Sequence, residues 1–219
     1  ALGEELRGTP NVVFKIPGTR AALETAAMVT AKGIGVTITL AFSVDQHIAF
    51  GEVIELGKAP VSFLVMMSGR LDDPVREELA AAGVDDAAAC ARWASTAVIR
   101  RSYEHVYGDM GCRRSALLVA SLRGPWNVDA ALAEGPAPVF VTSFPDKTEE
   151  YDSEPREIVA RMAEPIPGKV LTRLRRSCLF CQAVEAGGIG VTGFDTYLPV
   201  AVTQSAFAGA WDEVRAWLV

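Results

Sequence analysis

Asn11-Val12-Val13-Phe14-Lys15-Ile16-Pro17-Gly18-Thr19 is the stretch on which the reading of the fold turns. Its β-branched and aromatic residues, closed by Pro-Gly, predict a short strand ending in a turn. The nearly unbroken apolar run predicts burial on both faces. An ammonium in such a run is costly, so Lys15 either finds a partner or gives up its proton. Each unit by which burial lowers an amine pKa corresponds to about 1.4 kcal/mol. A few units would leave Lys15 a neutral amine, the form that attacks a carbonyl. From position alone, a lysine snorkelling out of a strand end is the commoner case.

Outward from this strand, the text alternates β-branched runs with helical stretches. A helix is expected over 19–32, a strand over 35–42, a helix over 44–56 and a strand over 61–67. A longer helical region, starting at Pro74, covers 74–107 with a break near Gly83. Then come a strand over 115–121, a short helix over 128–134 and a strand over 139–143. Strands alternating with helices imply a parallel sheet, either open and doubly wound or part of a (β/α)8 barrel. A dinucleotide fold would place Gly-x-Gly-x-x-Gly after the first strand, where Lys-Ile-Pro-Gly-Thr stands instead. Gly187-Gly188-Ile189-Gly190 follows a helix and reads as a turn rather than a phosphate loop.

The 219 residues suffice for one domain with a substantial core, 1–219. Acidic residues cluster over 149–155, and Pro165-Ile166-Pro167-Gly168 follows. These divide a strand-and-helix part, 1–147, from a helical part, 148–219. The net charge of -6, with no long basic run, argues against nonspecific nucleic-acid binding and against docking on an acidic membrane. No stretch approaches the roughly 18 consecutive apolar residues of a membrane span. Ala1-Leu2-Gly3-Glu4-Glu5-Leu6 has neither the basic start nor the apolar middle of a signal peptide.

Cys90, Cys112, Cys178 and Cys181 do not make a disulfide scaffold, and a reducing cytoplasm is expected. Cys178-Leu179-Phe180-Cys181 has redox or zinc spacing but no second pair or nearby histidine, so packing on a helix is expected. His47 is expected in a surface or capping role. Asp45 and Glu52 are expected to face solvent. Trp93, Trp126, Trp211 and Trp217 read as packing residues.

Residues 11–19 resemble the transaldolase strand that bears the Schiff-base lysine, with its Lys-Ile-Pro-x-Thr signature. Residues 33–43, ending in Thr39-Leu40-Ala41-Phe42-Ser43, resemble the family's next strand, and Gln46 falls where the family also has Gln. Gly69-Arg70-Leu71-Asp72 is similar to the Gly-Arg-x-x-Asp stretch after the family's sixth strand. Ala120-Ser121-Leu122-Arg123 is similar to the Ala-Ser-x-Arg after its seventh. The resemblance implies a (β/α)8 TIM barrel, with Lys15 on the fourth strand and the strands here the fourth to eighth. It implies that Lys15 attacks a ketose phosphate and that Arg70, Ser121 and Arg123 bind the phosphate. Two guanidinium forks and a hydroxyl suit such an anion.

Thr39 would position the bound carbon chain. Transfer of a three-carbon dihydroxyacetone unit between sugar phosphates follows, as in the pentose phosphate pathway. No metal or organic cofactor is required, because the lysine iminium is the electron sink. The implied partners are phosphorylated sugars, with no nucleic acid and no membrane, and a homo-oligomer is left open.

Three features depart from the family pattern. Thr37 stands where the family usually has Asn. The family's sixth-strand Ser, five residues before its Arg, corresponds to Val65, while Ser62 lies three residues too early. The strands expected to supply an Asp, an Asn and a Glu for proton transfer lie upstream of this sequence, which is therefore expected to be part of a longer polypeptide. The alternatives are a specialised transaldolase-like aldolase with another acceptor, or a non-catalytic barrel that binds sugar phosphates.

Overall fold

The computed structural model describes Glu5 and residues 11–218. Strands β1 (Val13–Pro17), β2 (Gly35–Thr39), β3 (Ser62–Met67), β4 (Ser115–Ala120) and β5 (Val139–Val141) form one sheet, ordered as in the sequence. Every neighbouring pair is parallel. An open doubly wound sheet reverses its strand order at a switch point; this sheet steps in one direction throughout, as an arc of a barrel does.

Helix α1 (Arg20–Ala31) connects β1 to β2, and α2 (Val44–Glu55) connects β2 to β3. Between β3 and β4 lie α3 (Ser68–Ala81), α4 (Ala87–Ala91), α5 (Ala94–Tyr103) and a π-helical segment, Glu104–Asp109. The single turn α6 (Trp126–Asp129) precedes β5. Beyond it come α7 (Pro145–Asp152), α8 (Gly168–Leu174), α9 (Cys178–Val184), a 3-10 turn (Val191–Gly193) and α10 (Leu198–Leu218).

Two boundaries differ from expectation for physical reasons. Helix α3 starts at Ser68, not Pro74, because Leu71, Val75 and Leu79 form a fully buried stripe through the proline. Pro74 removes one amide and is accommodated inside the helix. Strand β2 stops at Thr39 because Leu40 turns into the left-handed region, φ 51°.

The core lies on the helix side of the sheet. Val36, Ile38, Leu64, Met66, Leu117 and Val119 are sealed there, in one cluster with Phe50, Ile54, Leu71, Leu79 and Val98. The other face is open toward both edges. Lys15 and Phe140 are exposed on it, and Thr37, Phe63 and Leu118 are half-buried. Phe63 and Phe140 meet edge to face, with ring centroids 5.4 Å apart. The expectation that β1 is buried on both faces is therefore corrected: it is an edge strand, with Val13 37% exposed and Lys15 exposed.

The C-terminal region closes over the helix N-termini that follow β1 and β2. The Asp195 carboxylate accepts the Arg20 amide at 3.0 Å, at the start of α1. At the start of α2, the Asp45 carboxylate accepts the Gly187, Ile189 and Gly190 amides at 2.6, 3.0 and 2.7 Å. The glycine-rich turn is thus an anion-binding nest filled by a carboxylate of the same chain. Asp45, expected to face solvent, is its half-buried occupant. Trp211 and Trp217, expected to pack, are 60% and 85% exposed on α10. None of the described helices is long and apolar enough to cross a membrane.

Candidate active site

Lys15 and Thr37 are register partners on β1 and β2, so their side chains project from the same, open face. Pro17 and Thr39 pair next, one step nearer the C-terminal strand ends. Thr39 is 7% exposed and its hydroxyl donates to Met67 Sδ at 3.6 Å. Buried Gln46 fixes the turns that follow both strands. Its amide nitrogen donates to the Gly18 and Leu40 carbonyls at 2.6 and 3.0 Å, and its oxygen accepts the Phe42 amide at 2.9 Å. A buried amide satisfied on both ends holds these loops in one geometry. Lys15 itself is exposed, so the burial expected for it is not supplied by the described residues.

The second group sits at the ends of β3 and β4. Arg70 occupies the first turn of α3, directly after β3, and its guanidinium lies 5.2 Å from the Phe207 ring centroid on α10. Ser121 follows β4 in the left-handed region, φ 59°, and its carbonyl accepts the Gly69 amide at 2.9 Å. Leu40 and Ser121 are the two non-glycine residues of positive φ among those described, and both follow a strand at this end. Strain of this kind concentrates at sites where the surrounding structure holds it.

Arg123 Nη1 lies 3.4 Å from Ser121 Oγ, and Arg123 Nη2 donates to Asp73 Oδ2 at 2.8 Å. The Arg123 guanidinium packs on the bare Cα of Gly69, where a Cβ would collide with it. Arg70, Asp73 and Arg123 line one cavity of about 290 Å³, walled on the other side by Pro199, Val202 and Thr203. The structure thus brings Arg70, Ser121 and Arg123 together at one end of the sheet.

Ser62 is not among them. It begins β3, at the opposite end of the strand, where it is fully buried and its hydroxyl accepts the Val36 amide at 3.1 Å. Val65, two residues along from Phe63 on the face shared with Thr37, holds the position five residues before Arg70.

His47 is fully buried rather than on the surface: Nε2–H donates to the Val65 carbonyl at 3.1 Å, and Nδ1 accepts the Ser102 hydroxyl at 2.7 Å. Burial lowers its pKa to about 4, so it is a neutral strut between α2, β3 and α5. Asp72 accepts the Ser95 amide and hydroxyl at 2.8 and 3.0 Å, and burial raises its pKa to about 7 against those bonds. Asp73, the Asp that the Gly-Arg-x-x-Asp spacing reaches from Gly69, engages Arg123, a partner 50 residues away that the sequence does not display. Among the described residues, no three His, Cys, Asp or Glu side chains are grouped to hold a metal ion.

A family model described as transaldolase/fructose-6-phosphate aldolase matches residues 2–176. The chain is 32% identical over 177 residues to a transaldolase of Mycolicibacterium smegmatis, an alignment covering 68% of this chain and 47% of that relative. It is 35% identical over 109 residues to transaldolase 1 of Streptomyces avermitilis, covering 43% and 28%. With a transaldolase of Mycobacterium ulcerans it shares 55% identity over 38 residues, 17% of this chain and 10% of the relative. The chain thus spans about half the length of the first of these relatives, and less of the others.

Proposed function

The chain belongs to the transaldolase/fructose-6-phosphate aldolase family, and from that premise we propose that it carries the Schiff-base half of a transaldolase site. The observation that carries this reading is a juxtaposition. A lysine on the open sheet face, beside Thr37, shares the sheet with an Arg70–Ser121–Arg123 cluster at the ends of β3 and β4. One group suits a carbonyl, the other a phosphate, and a ketose phosphate carries both.

In this proposal β1 to β5 are the fourth to eighth strands of a (β/α)8 barrel. Among the described residues β1 and β5 each pair on one side only, which supports that assignment, since five strands do not close a barrel. Strands completing the barrel would cover Lys15 and exclude bulk water from around the amine. They would also be the source of the groups that move protons.

The Lys15 amine adds to the carbonyl, and loss of water gives an iminium. As the C4 hydroxyl gives up its proton, the C3–C4 bond, one bond removed from the iminium carbon, breaks, sends its electron pair into the iminium and releases an aldehyde phosphate. The three-carbon enamine left on Lys15 then adds to an acceptor aldehyde, and hydrolysis frees the product. Thr37 and Thr39 would contact the carbon chain, while Arg70, Ser121 and Arg123 would hold the phosphate. A role in the pentose phosphate pathway and a cytoplasmic location belong to the same proposal.

The test is borohydride trapping with fructose 6-phosphate, using the natural polypeptide that contains this chain. A reduced adduct is expected on the Lys15 peptide and is expected to vanish in Lys15→Arg, which keeps the charge but forms no stable imine. Absence of an adduct in the parent protein overturns the catalytic reading in favour of a sugar-phosphate-binding barrel. Val65 and Thr37 support a second reading, a specialised aldolase with another acceptor, because an aliphatic and a β-hydroxyl group replace an expected hydroxyl and amide. A panel of aldehyde acceptors separates the two by relative kcat/KM.

A further inference from the structure

The four cysteines fall into two environments. Cys90 and Cys112 are buried, whereas Cys178 is exposed and Cys181 half-buried on α9. The buried pair fits packing, and Cys181 packs in part against the core as expected, whereas Cys178 is exposed. We infer that Cys178 and Cys181 form a surface dithiol that closes reversibly to a disulfide by exchange with a low-molecular-weight disulfide. Cys178 is the attacking thiol and Cys181 the resolving one.

Geometry carries the inference. Positions i and i+3 of a helix share a face, and helical rise and radius put their Cα atoms about 5 Å apart. Disulfides span about 4.4 to 6.8 Å between Cα atoms, so this separation needs no backbone movement on the scale of an element. The turn is held from below. Ser177 Oγ accepts the Phe180 amide at 3.0 Å, and Glu78 of α3 accepts the Ser177 hydroxyl and the Leu179 amide at 2.6 and 3.1 Å. Cys178 is the first residue of α9, where the amide has no partner within the helix, so it can adjust its dihedrals without breaking the helical ladder.

Electrostatics agrees with the division of roles: the Cys181 thiol is raised first by burial and then by the neighbouring Cys178. The more exposed sulfur therefore reacts first. Among the described residues no third acidic, histidine or cysteine side chain joins the pair in a metal-binding group, which favours redox use over a metal site.

The exchange balances in two steps. The Cys178 thiolate attacks one sulfur of the small disulfide, forming a mixed disulfide and expelling one small thiolate, which takes up a proton. The Cys181 thiolate then attacks the Cys178 sulfur and expels the second. The protein pair loses two electrons and two protons, and the small disulfide becomes two thiols.

Reduced protein treated with excess oxidised glutathione is expected to lose two free thiols per chain and to yield a Cys178–Cys181 linked peptide by mass spectrometry. Dithiothreitol should restore both thiols. Cys181→Ser should stop at a glutathione adduct on Cys178, whereas Cys178→Ser should react about tenfold more slowly or less. In the Cys178→Ser/Cys181→Ser double variant, Cys90 and Cys112 should stay reduced, with an unchanged melting temperature. Thiols that remain free, a disulfide joining two chains, or adducts on Cys181 in preference to Cys178 would each overturn the inference.

Discussion

Arg123 rests on the Cα of Gly69, so the cluster proposed to hold a phosphate depends on a single missing side chain. Gly69→Ala suits a helix but pushes the guanidinium away from Ser121. The expected result is a roughly tenfold weaker affinity for inorganic phosphate, about 1.4 kcal/mol, read by calorimetry with little change in melting temperature. His47 and Asp72 set opposing pH dependences. The folded pKa of His47, about 4, lies below its ordinary 6.5, so its contribution to stability is present above pH 6.5 and lost as pH falls toward 4. The loss reaches about 3 kcal/mol at most. Asp72, raised from 3.8 to about 7, contributes fully below pH 3.8 and loses that contribution as pH rises toward 7. The two offset each other in the parent chain. Asp72→Asn removes the offset, so its urea midpoint should fall more steeply between pH 6.5 and 4 than the parent's. Superimposable profiles would show that the two buried groups do not titrate as their surroundings dictate.

At the scale of elements, the turns after β1 and β2 are fixed twice, by Gln46 from within and by the C-terminal region from outside. The Asp45 carboxylate holds the 187–190 nest through three charge-assisted bonds, each stronger than a neutral one. Asp45→Ala should therefore loosen that turn, lowering stability by about 2 kcal/mol. Hydrogen exchange at the Gly187, Ile189 and Gly190 amides should become fast, while exchange in β3 and β4 stays slow. Unchanged protection of those three amides would mean that the nest stands without its carboxylate. The Ser62 hydroxyl does comparable work at the start of β3, capping the Val36 amide where the ladder to β2 begins. A serine in a strand context can serve either end of the sheet, and only the register decides which.

For the whole molecule, the dominant physical fact is a sheet sealed on one face and open toward both edges of the other. Val13 at 37% and Phe140 at 45% exposure sit on the two edge strands, β1 and β5. Unpaired parallel edges with apolar side chains favour association. The 219-residue chain by itself is expected to bind a hydrophobic fluorescent dye and to self-associate at micromolar concentration. Val13→Lys with Phe140→Lys should reduce both, as followed by dye emission and light scattering. A dye signal unchanged by the pair of lysines would show that this face is covered in solution.

Local pattern sufficed for the alternation of strands and helices, for the parallel sheet, and for the motifs around Lys15, Arg70, Ser121 and Arg123. These depend on residue type, period and spacing along the chain, which a sequence displays directly. What the chain alone could not decide were questions of partner and depth. Lys15 is exposed because β1 lies at an edge, and His47 is buried because α5 closes over α2. Asp45 fills a glycine nest 142 residues away, and Asp73 engages an arginine 50 residues away. Cys178 and Cys181 share a surface turn whose exposure follows from how α9 rests on α3. Burial and long-range pairing are properties of packing, and the same short motif reads differently once the surface it faces is known.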